Sequence, residues 1–211
     1  MNLELITHSA IRIISNDGKV IYFDPFKLND FYLNDANIIF ISHSHYDHFS
    51  PEDIKIIKNK DTKIVITEDL FEKAIQCGFN ESNILKVLPN SEYIIDGISF
   101  RTIPAYNTNK NFHKKEYNWV GYIIRIDDSI IYVAGDTDIT EEALRIKCDI
   151  AFVPVGGTYT MTAEEAANLI EQIKPNQFAV PTHYQTIVGS TEDAERFKSL
   201  LENKVDVKIL M

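Results

Sequence analysis

The sequence predicts a layered α/β fold in a single domain of residues 1–211. Short apolar runs that read as strands alternate with capped segments typical of helices, and the length is ordinary for one such domain. Four of the apolar runs end directly before reactive or flexible residues. In layered α/β folds, strands deliver functional groups from their ends to one rim of the sheets, so a shared site is expected there.

The first part of the chain is rich in strand-like runs. Asn16-Asp17-Gly18 predicts a hairpin turn, and the continuous apolar run Ile38–Ile41 predicts a strand covered on both faces. Ser50 followed by Pro51 is typical of a helix start, with Ser50 as the N-cap. The predicted strands of this part are 3–6, 11–14, 20–23, 38–41 and 64–66, and the predicted helices are 51–59 and 68–77.

The second part continues the alternation. Thr162 and Glu165 form the sequence signature of a capping box, so a helix is expected to run from there to Lys174. Residues 105–118 form a long polar stretch, which indicates a functional loop, although a solvated surface loop would look the same. The remaining predictions are strands at 84–88, 92–95, 98–103, 120–126, 130–134, 150–155, 178–180 and 205–210, and a helix at 192–203.

The composition excludes several classes of protein. The chain has 21 Lys and Arg against 31 Asp and Glu, a net charge of −10, which disfavours nucleic acid and anionic membrane as partners. The N-terminus lacks a signal-peptide pattern, and no apolar run approaches the length of a membrane span. Cys77 and Cys148 are isolated, which favours free thiols and a cytoplasmic location.

A cluster of potential metal ligands follows the run Ile38–Ile41. His43-Ser44-His45-Tyr46-Asp47-His48, hereafter the His43–His48 motif, holds three of the six histidines and a carboxylate. Imidazole and carboxylate groups bind zinc and similar divalent ions well. On an extended chain His43 and His45 point the same way, whereas Asp47 and His48 need a turn, so the motif predicts two adjacent metal positions.

The motif, followed by Gly135-Asp136-Thr137 and by Pro181-Thr182-His183, resembles the metallo-β-lactamase superfamily. The resemblance covers nearly the whole chain, since His8-Ser9, Asp24-Pro25-Phe26 and Met161-Thr162 also match, and these extras resemble the branch that includes ascorbate-6-phosphate lactonase. It implies a four-layer αβ/βα sandwich, in which two mixed β-sheets are flanked by helices and a dinuclear metal site lies along one edge.

The resemblance also implies a role for each ligand. His43 and His45 would bind the first metal, Asp47, His48 and His183 the second, and Asp136 would bridge both. The family position of the third histidine of the first metal falls at Asn107, which departs from the pattern. His113, six residues later in the polar loop, is the expected substitute.

Other residues keep two interpretations. His8 and Asp24 either orient a metal ligand by hydrogen bonding or serve structure alone, Asp24 as a turn-former before Pro25. The pair Gly156-Gly157 either allows a close backbone approach to a ligand or ends a strand.

The expected activity is metal-dependent hydrolysis of an ester, lactone or phosphoester. Two divalent ions, Zn²⁺ from the His-rich ligand set or alternatively Mn²⁺ or Fe²⁺, would activate a hydroxide, and Asp47, Asp136 or a group of the substrate would carry the proton afterwards. Lys110, Lys114 and Lys115 near His113 favour a small anionic substrate, and the alternative is that they only make the surface soluble. The alternative is a non-catalytic metal- or ligand-binding protein on the same scaffold, which the departure at Asn107 supports.

Overall fold

The chain forms two mixed β-sheets, one in each half of its sequence. The computed structural model describes the backbone of residues 1–211 and every side chain apart from that of Asp30. These residues divide into two compact units, Met1–Leu88 with Met211, and Pro89–Leu210. Each unit contains one sheet, which has six strands among the residues described. The predicted pair of mixed sheets with helices is confirmed.

The sheet of the first unit keeps its strands in chain order. Its elements are β1 Asn2–Thr7, β2 Ala10–Ile14, β3 Val20–Phe23, β4 Ala36–Phe40, α1 Pro51–Ile57, β5 Lys58–Thr67, α2 Phe71–Gln76 and β6 Ile84–Val87. Strands β1, β2 and β3 pair antiparallel, and β3 to β6 pair in parallel. The parallel part contains β4, the strand that precedes the His43–His48 motif.

Strand β4 is buried on both faces, as its unbroken apolar pattern predicts. Ile38, Ile39, Phe40 and Ile41 are all 0% exposed. Burial of each such side chain contributes roughly 1.5–3 kcal/mol to folding, so this strand is firmly held. The His43–His48 motif therefore begins at the carboxyl end of a rigid element.

Helix α1 begins where the sequence predicts. Ser50 is the N-cap, its hydroxyl accepts the backbone N–H of Asp53, and Pro51 stands in the first turn. The carboxylate of Asp53 also accepts the backbone N–H groups of Lys27 and Leu28, at 2.9 and 2.7 Å. These bonds tie the start of α1 to the segment after β3.

The second unit has antiparallel strands followed by parallel ones. Its elements are β7 Glu92–Ile95, β8 Ile98–Pro104, β9 Val120–Ile126, β10 Ser129–Val133, β11 Ile150–Pro154, α3 Ala163–Ile173, β12 Phe178–Thr182 and α4 Thr191–Leu200. The strands from β7 to β10 pair antiparallel, and β10, β11 and β12 pair in parallel. Helix α3 has the predicted capping box of Thr162 and Glu165 and packs on α4 and β11.

The predicted final strand, Val205–Leu210, is wrong. Within it Val207 alone makes a bridge, to Ala179 of β12, in the part of the chain that the structure describes. Ala179 donates to the carbonyl of Asp206 and accepts the N–H of Lys208. Pro181, the next residue of β12 that faces this side, has no N–H to donate, so the ladder cannot continue.

Smaller differences lie at element ends. Helix α1 stops at Ile57 rather than at residue 59, because β5 begins at once with Lys58. The predicted helix 68–77 opens with a 3₁₀ turn, Glu68–Leu70, before α2.

Candidate metal centre

The histidines of the His43–His48 motif converge within the first unit. The Nε2 atom of His43 lies 3.1 Å from Nδ1 of His45, as the period-two argument predicts. The rings of His43 and His48 have centroids 4.0 Å apart. His43 and His48 are almost completely buried, and the backbone carbonyl of His45 accepts the N–H groups of His48 and Phe49, which forms the predicted turn.

Asp24 and Ser42 hold the imidazole rings of His48 and His43 at their Nδ1 atoms. One carboxylate oxygen of Asp24, Oδ2, lies 2.7 Å from Nδ1 of His48 and 2.7 Å from the hydroxyl of Ser42, and the other accepts the N–H of Ser42 at 2.8 Å. The Ser42 hydroxyl lies 2.9 Å from Nδ1 of His43. Because a carboxylate only accepts, His48 carries its proton on Nδ1, which leaves Nε2 as its metal-binding nitrogen.

The interpretation of Asp24 as an orienting residue is thus favoured over that of a turn-former alone. Its positive φ of 46° is tolerated because Asp, like Asn, adopts the left-handed region more readily than most residues. Sequence reasoning missed Ser42. Its position between a buried strand and the first histidine was the available signal.

His8 contacts the carboxylate of the motif. Its Nε2 lies 3.3 Å from Oδ2 of Asp47, and the same oxygen lies 3.6 Å from Nε2 of His48. His8 is fully buried and has a φ of 46°, which the fold must support. The contact with Asp47 favours an orienting role for His8.

In the second unit, Asp136 lies between two histidines. Its Oδ2 atom is 3.1 Å from Nε2 of His113 and 3.1 Å from Nε2 of His183. All three side chains are buried. Asp136 follows β10 and His183 follows β12, so two strand ends and the polar loop bring these residues together.

Asn107 positions His113. Its side-chain Oδ1 accepts the backbone N–H of His113 at 2.9 Å and lies 3.2 Å from Nδ1 of the same residue, while its amide donates to the carbonyl of Tyr159 at 2.9 Å. The backbone N–H of Asn107 donates to the carbonyl of His113. With Nδ1 directed to Asn107, His113 presents Nε2 to Asp136.

The loop that carries His113 is fastened beside Asp136. The hydroxyl of Thr137 donates to the carbonyl of Tyr106, and the carboxylate of Asp138 accepts the N–H of Thr108 at 2.8 Å. Residues immediately after Asp136 thus hold the start of the loop, which is why His113, remote in sequence, reaches Asp136.

Two of the three lysines near His113, which the sequence analysis connects with an anionic substrate, form ion pairs. Lys110 forms an ion pair with Asp138 at 2.7 Å, and Lys115 forms one with Glu142 at 2.9 Å. Carboxylates of the same unit neutralise these two charges, whereas Lys114 is exposed. The positive charge predicted from residues 110–115 is correspondingly smaller.

Both cysteines are free thiols, as their isolation in the sequence predicts. Cys77 and Cys148 are free and buried, and burial raises the pKa of the Cys148 thiol to about 12, which disfavours a thiolate nucleophile.

Among the described residues, the helices are too short or too polar to cross a bilayer.

The donor set of each unit fits a divalent cation. In the first unit, buried imidazoles are held through Nδ1 so that Nε2 is left to coordinate. In the second, Nε2 of His113 and Nε2 of His183 each lie 3.1 Å from the same carboxylate oxygen of Asp136. Two imidazole nitrogens that converge on a carboxylate in this way form a donor set for a divalent cation. Imidazole and carboxylate ligands suit zinc, manganese and iron.

Comparison with known families identifies the fold and the class of chemistry. A family model described as a β-lactamase superfamily domain matches residues 2–183. The chain belongs to this superfamily. A UPF0173 metal-dependent hydrolase from Pyrococcus horikoshii is 31% identical over 100% of the chain and 96% of its own length, and one from Thermococcus onnurineus is 30% identical over 100% and 96%. The chain is therefore a superfamily member related to metal-dependent hydrolases, as the resemblance implies.

Two solved structures have a similar fold. A candidate metal-dependent hydrolase from Parabacteroides distasonis has a TM-score of 0.85 at 27% identity and covers 99% of the chain and 91% of its own. A metallo hydrolase from Ignicoccus hospitalis has a TM-score of 0.78 at 24% identity over 98% and 93%. The predicted metallo-β-lactamase fold is confirmed.

Proposed function

We propose that the chain is a dinuclear metal-dependent hydrolase acting on an ester, lactone or phosphoester. The observation that carries this proposal is the carboxylate of Asp136, whose Oδ2 lies 3.1 Å from the imidazole nitrogens of both His113 and His183. A carboxylate between two imidazoles is suited to bridge two ions. In this proposal His43, His45 and His113 bind one ion, and Asp47, His48 and His183 bind the other.

The ions would supply the reactive group. When bound, two divalent ions would make water reactive as a nucleophile near neutral pH and would polarise the scissile bond. We propose that the ions are zinc, with manganese and iron as the chemical alternatives.

Residues of the chain would orient the metal ligands and accept the proton that hydrolysis releases. Asp24 and Ser42 hold the rings of His43 and His48 through Nδ1, so neither ring has to reorient when an ion binds. Asp47 and Asp136 are the carboxylates that would take the proton released on hydrolysis. His8, at 3.3 Å from Asp47, would keep that carboxylate in place.

We further propose a small anionic substrate and a cytoplasmic location. Two divalent ions bring more positive charge than Asp47 and Asp136 offset, which favours an anionic group next to the site. The net charge of −10 disfavours nucleic acid. The free thiols suit a reducing compartment. We treat both units as one hydrolase domain because the family match runs through both.

The contact between Asn107 and His113 supports the hydrolase over the non-catalytic alternative. That alternative rested on Asn107 in place of a histidine, and Asn107 instead holds His113. No specific observation favours the alternative over hydrolysis.

Metal analysis and turnover test the proposal together. We expect about two equivalents of divalent metal per chain after reconstitution, and metal-dependent hydrolysis of at least one member of an ester, lactone and phosphoester panel. Asp136→Asn removes the bridging charge and should lose metal and turnover together. Asp128→Asn, which changes an exposed carboxylate in the turn after β9, is the matched control. A folded protein that retains no metal, or an Asp136→Asn variant with full metal and turnover, would refute the proposal.

A further inference from the structure

The segment Gly156–Thr162, hereafter the platform loop, contains no candidate metal ligand. It joins β11 to α3 and folds on itself, since Gly156 bridges Thr162 and Gly157 donates to the carbonyl of Met161 at 2.9 Å. Thr160 and Met161 are fully buried. The loop is therefore a rigid feature and not a loose connection.

One end of the platform loop packs directly against His183. A Cβ atom built on Gly156 would overlap the carbonyl oxygen of His183 and would lie 3.3 Å from a methyl group of Val188. Gly189 closes the other side, because a Cβ there would lie 2.7 Å from the Cα atom of Gly156. The backbone of His183 is thus confined, which explains how it keeps a φ of 59°.

The middle of the same loop supports His113. The carbonyl of Tyr159 accepts the side-chain amide of Asn107 at 2.9 Å, and Asn107 in turn accepts the backbone N–H of His113. The ring of Phe112, next to His113, packs edge-to-face on the ring of Tyr159 with centroids 4.8 Å apart.

We propose that the platform loop is a positioning element for metal binding, which sets the distance of both His113 and His183 from Asp136. The loop holds His183 through steric contact at Gly156 and His113 through the Tyr159–Asn107 hydrogen bond. A displacement of the loop therefore moves both imidazoles relative to the carboxylate between them. This inference rests on the proposed role of these residues as metal ligands.

The glycine pair provides a matched test. Gly156→Ala drives a methyl group into the backbone of His183. Gly157→Ala strains a positive φ of 65°, but its methyl group would meet only Thr162 Cγ2, at 3.6 Å. Comparison of the two variants therefore separates two effects. Gly156→Ala pushes the loop against His183, whereas Gly157→Ala only strains the loop itself.

Cobalt binding gives a readout that does not depend on turnover. We expect the Co²⁺ affinity of Gly156→Ala to fall at least about tenfold below that of Gly157→Ala, the scale seen when outer partners of metal ligands are changed. Its visible absorption spectrum, which reports ligand geometry, should also change. Equal affinities and spectra for the two variants would overturn the inference.

Hydrogen exchange on the unmodified protein tests the same inference if Gly156→Ala does not fold. Loading with Co²⁺ should slow amide exchange in peptides covering residues 156–162, although these residues supply no ligand, and should leave residues 127–129 unchanged. Unaltered exchange in 156–162 would refute the positioning role.

His113→Ala and His183→Ala separate a failure of the proposed ligand assignment from a failure of the platform-loop inference. If both variants keep the wild-type cobalt spectrum, the proposed ligand assignment fails. If both lose it while Gly156→Ala does not, the platform-loop inference alone fails.

Discussion

Asn107 accepts the backbone N–H of His113 through its side-chain oxygen at 2.9 Å, and its backbone N–H donates to the carbonyl of His113. Asn107, the position at which the resemblance implies a histidine, thus closes the loop that brings His113 to Asp136. Asn107 is therefore suited to position His113, and His113 is suited to coordinate a metal ion. The sequence alone leaves these two roles open.

His113→Ala and Asn107→Ala should consequently affect metal binding in different ways. We expect His113→Ala to lower the metal content from about two equivalents towards one and to abolish most turnover, because a ligand is removed. Asn107→Ala should retain both ions and bind one of them more weakly, since the ligand remains but its support is lost. Elemental analysis and chelator competition measure the two effects. A larger loss of metal in Asn107→Ala would reverse the assignment.

Trp119 reports on the same site without turnover. It is the single tryptophan of the chain, and its ring lies 5.6 Å from the ring of His113. Bound Co²⁺ should quench its fluorescence strongly in the wild type and in Asn107→Ala, and less in His113→Ala, which is expected to lose the ion nearest to Trp119 while keeping the other. Quenching in His113→Ala equal to that of the wild type would contradict the assignment of His113 as a ligand.

A second prediction concerns the support of His48. Asp24→Asn keeps the shape of the side chain but removes the charge 2.7 Å from Nδ1 of His48. We expect metal affinity to fall by roughly 10- to 100-fold, as when outer partners of ligating histidines are lost. Competition with a chelator measures this change.

Asp61→Asn, an exposed carboxylate on β5 of the same unit, is the control. If both variants bind metal equally well, the carboxylate of Asp24 contributes only to local structure.

A third prediction concerns the pH dependence of stability. Asp149 accepts the backbone N–H of Ile130 at 2.7 Å and the side-chain amide of Asn176 at 2.8 Å, and these bonds lower the pKa of its carboxyl group. A carboxylate whose folded pKa lies below its unfolded value stabilises the protein above the unfolded pKa, about 3.9. That contribution disappears as the pH falls through the folded pKa.

Asp149→Ala should therefore lower the free energy of unfolding by about 1–2 kcal/mol at pH 7. The difference from the wild type should shrink as the pH is lowered below about 4. Urea unfolding at a series of pH values measures both quantities. A difference that stays constant down to the lowest pH would show that ionisation of Asp149 does not contribute.

Local patterns were sufficient for much of the fold. The unbroken run Ile38–Ile41 predicted a strand buried on both faces, and the Ser50 and Thr162 caps predicted two helix starts, because periodicity and capping depend on neighbours along the chain. The density of ligands in the His43–His48 motif likewise pointed to metal chemistry. Where a partner was remote, the prediction failed, as for the strand 205–210 that Pro181 limits to one bridge.

The sequence by itself determined most of the strands, the family and the set of residues that we propose as metal ligands. Only the tertiary structure decided how those residues are supported. It paired Lys110 with Asp138, set Ser42 against two histidines and joined Asn107 to Tyr159, 52 positions away. Such contacts depend on which segments the fold brings together. A hydrogen bond or a steric contact between distant segments leaves no periodic signal in either segment, so a single sequence does not reveal it.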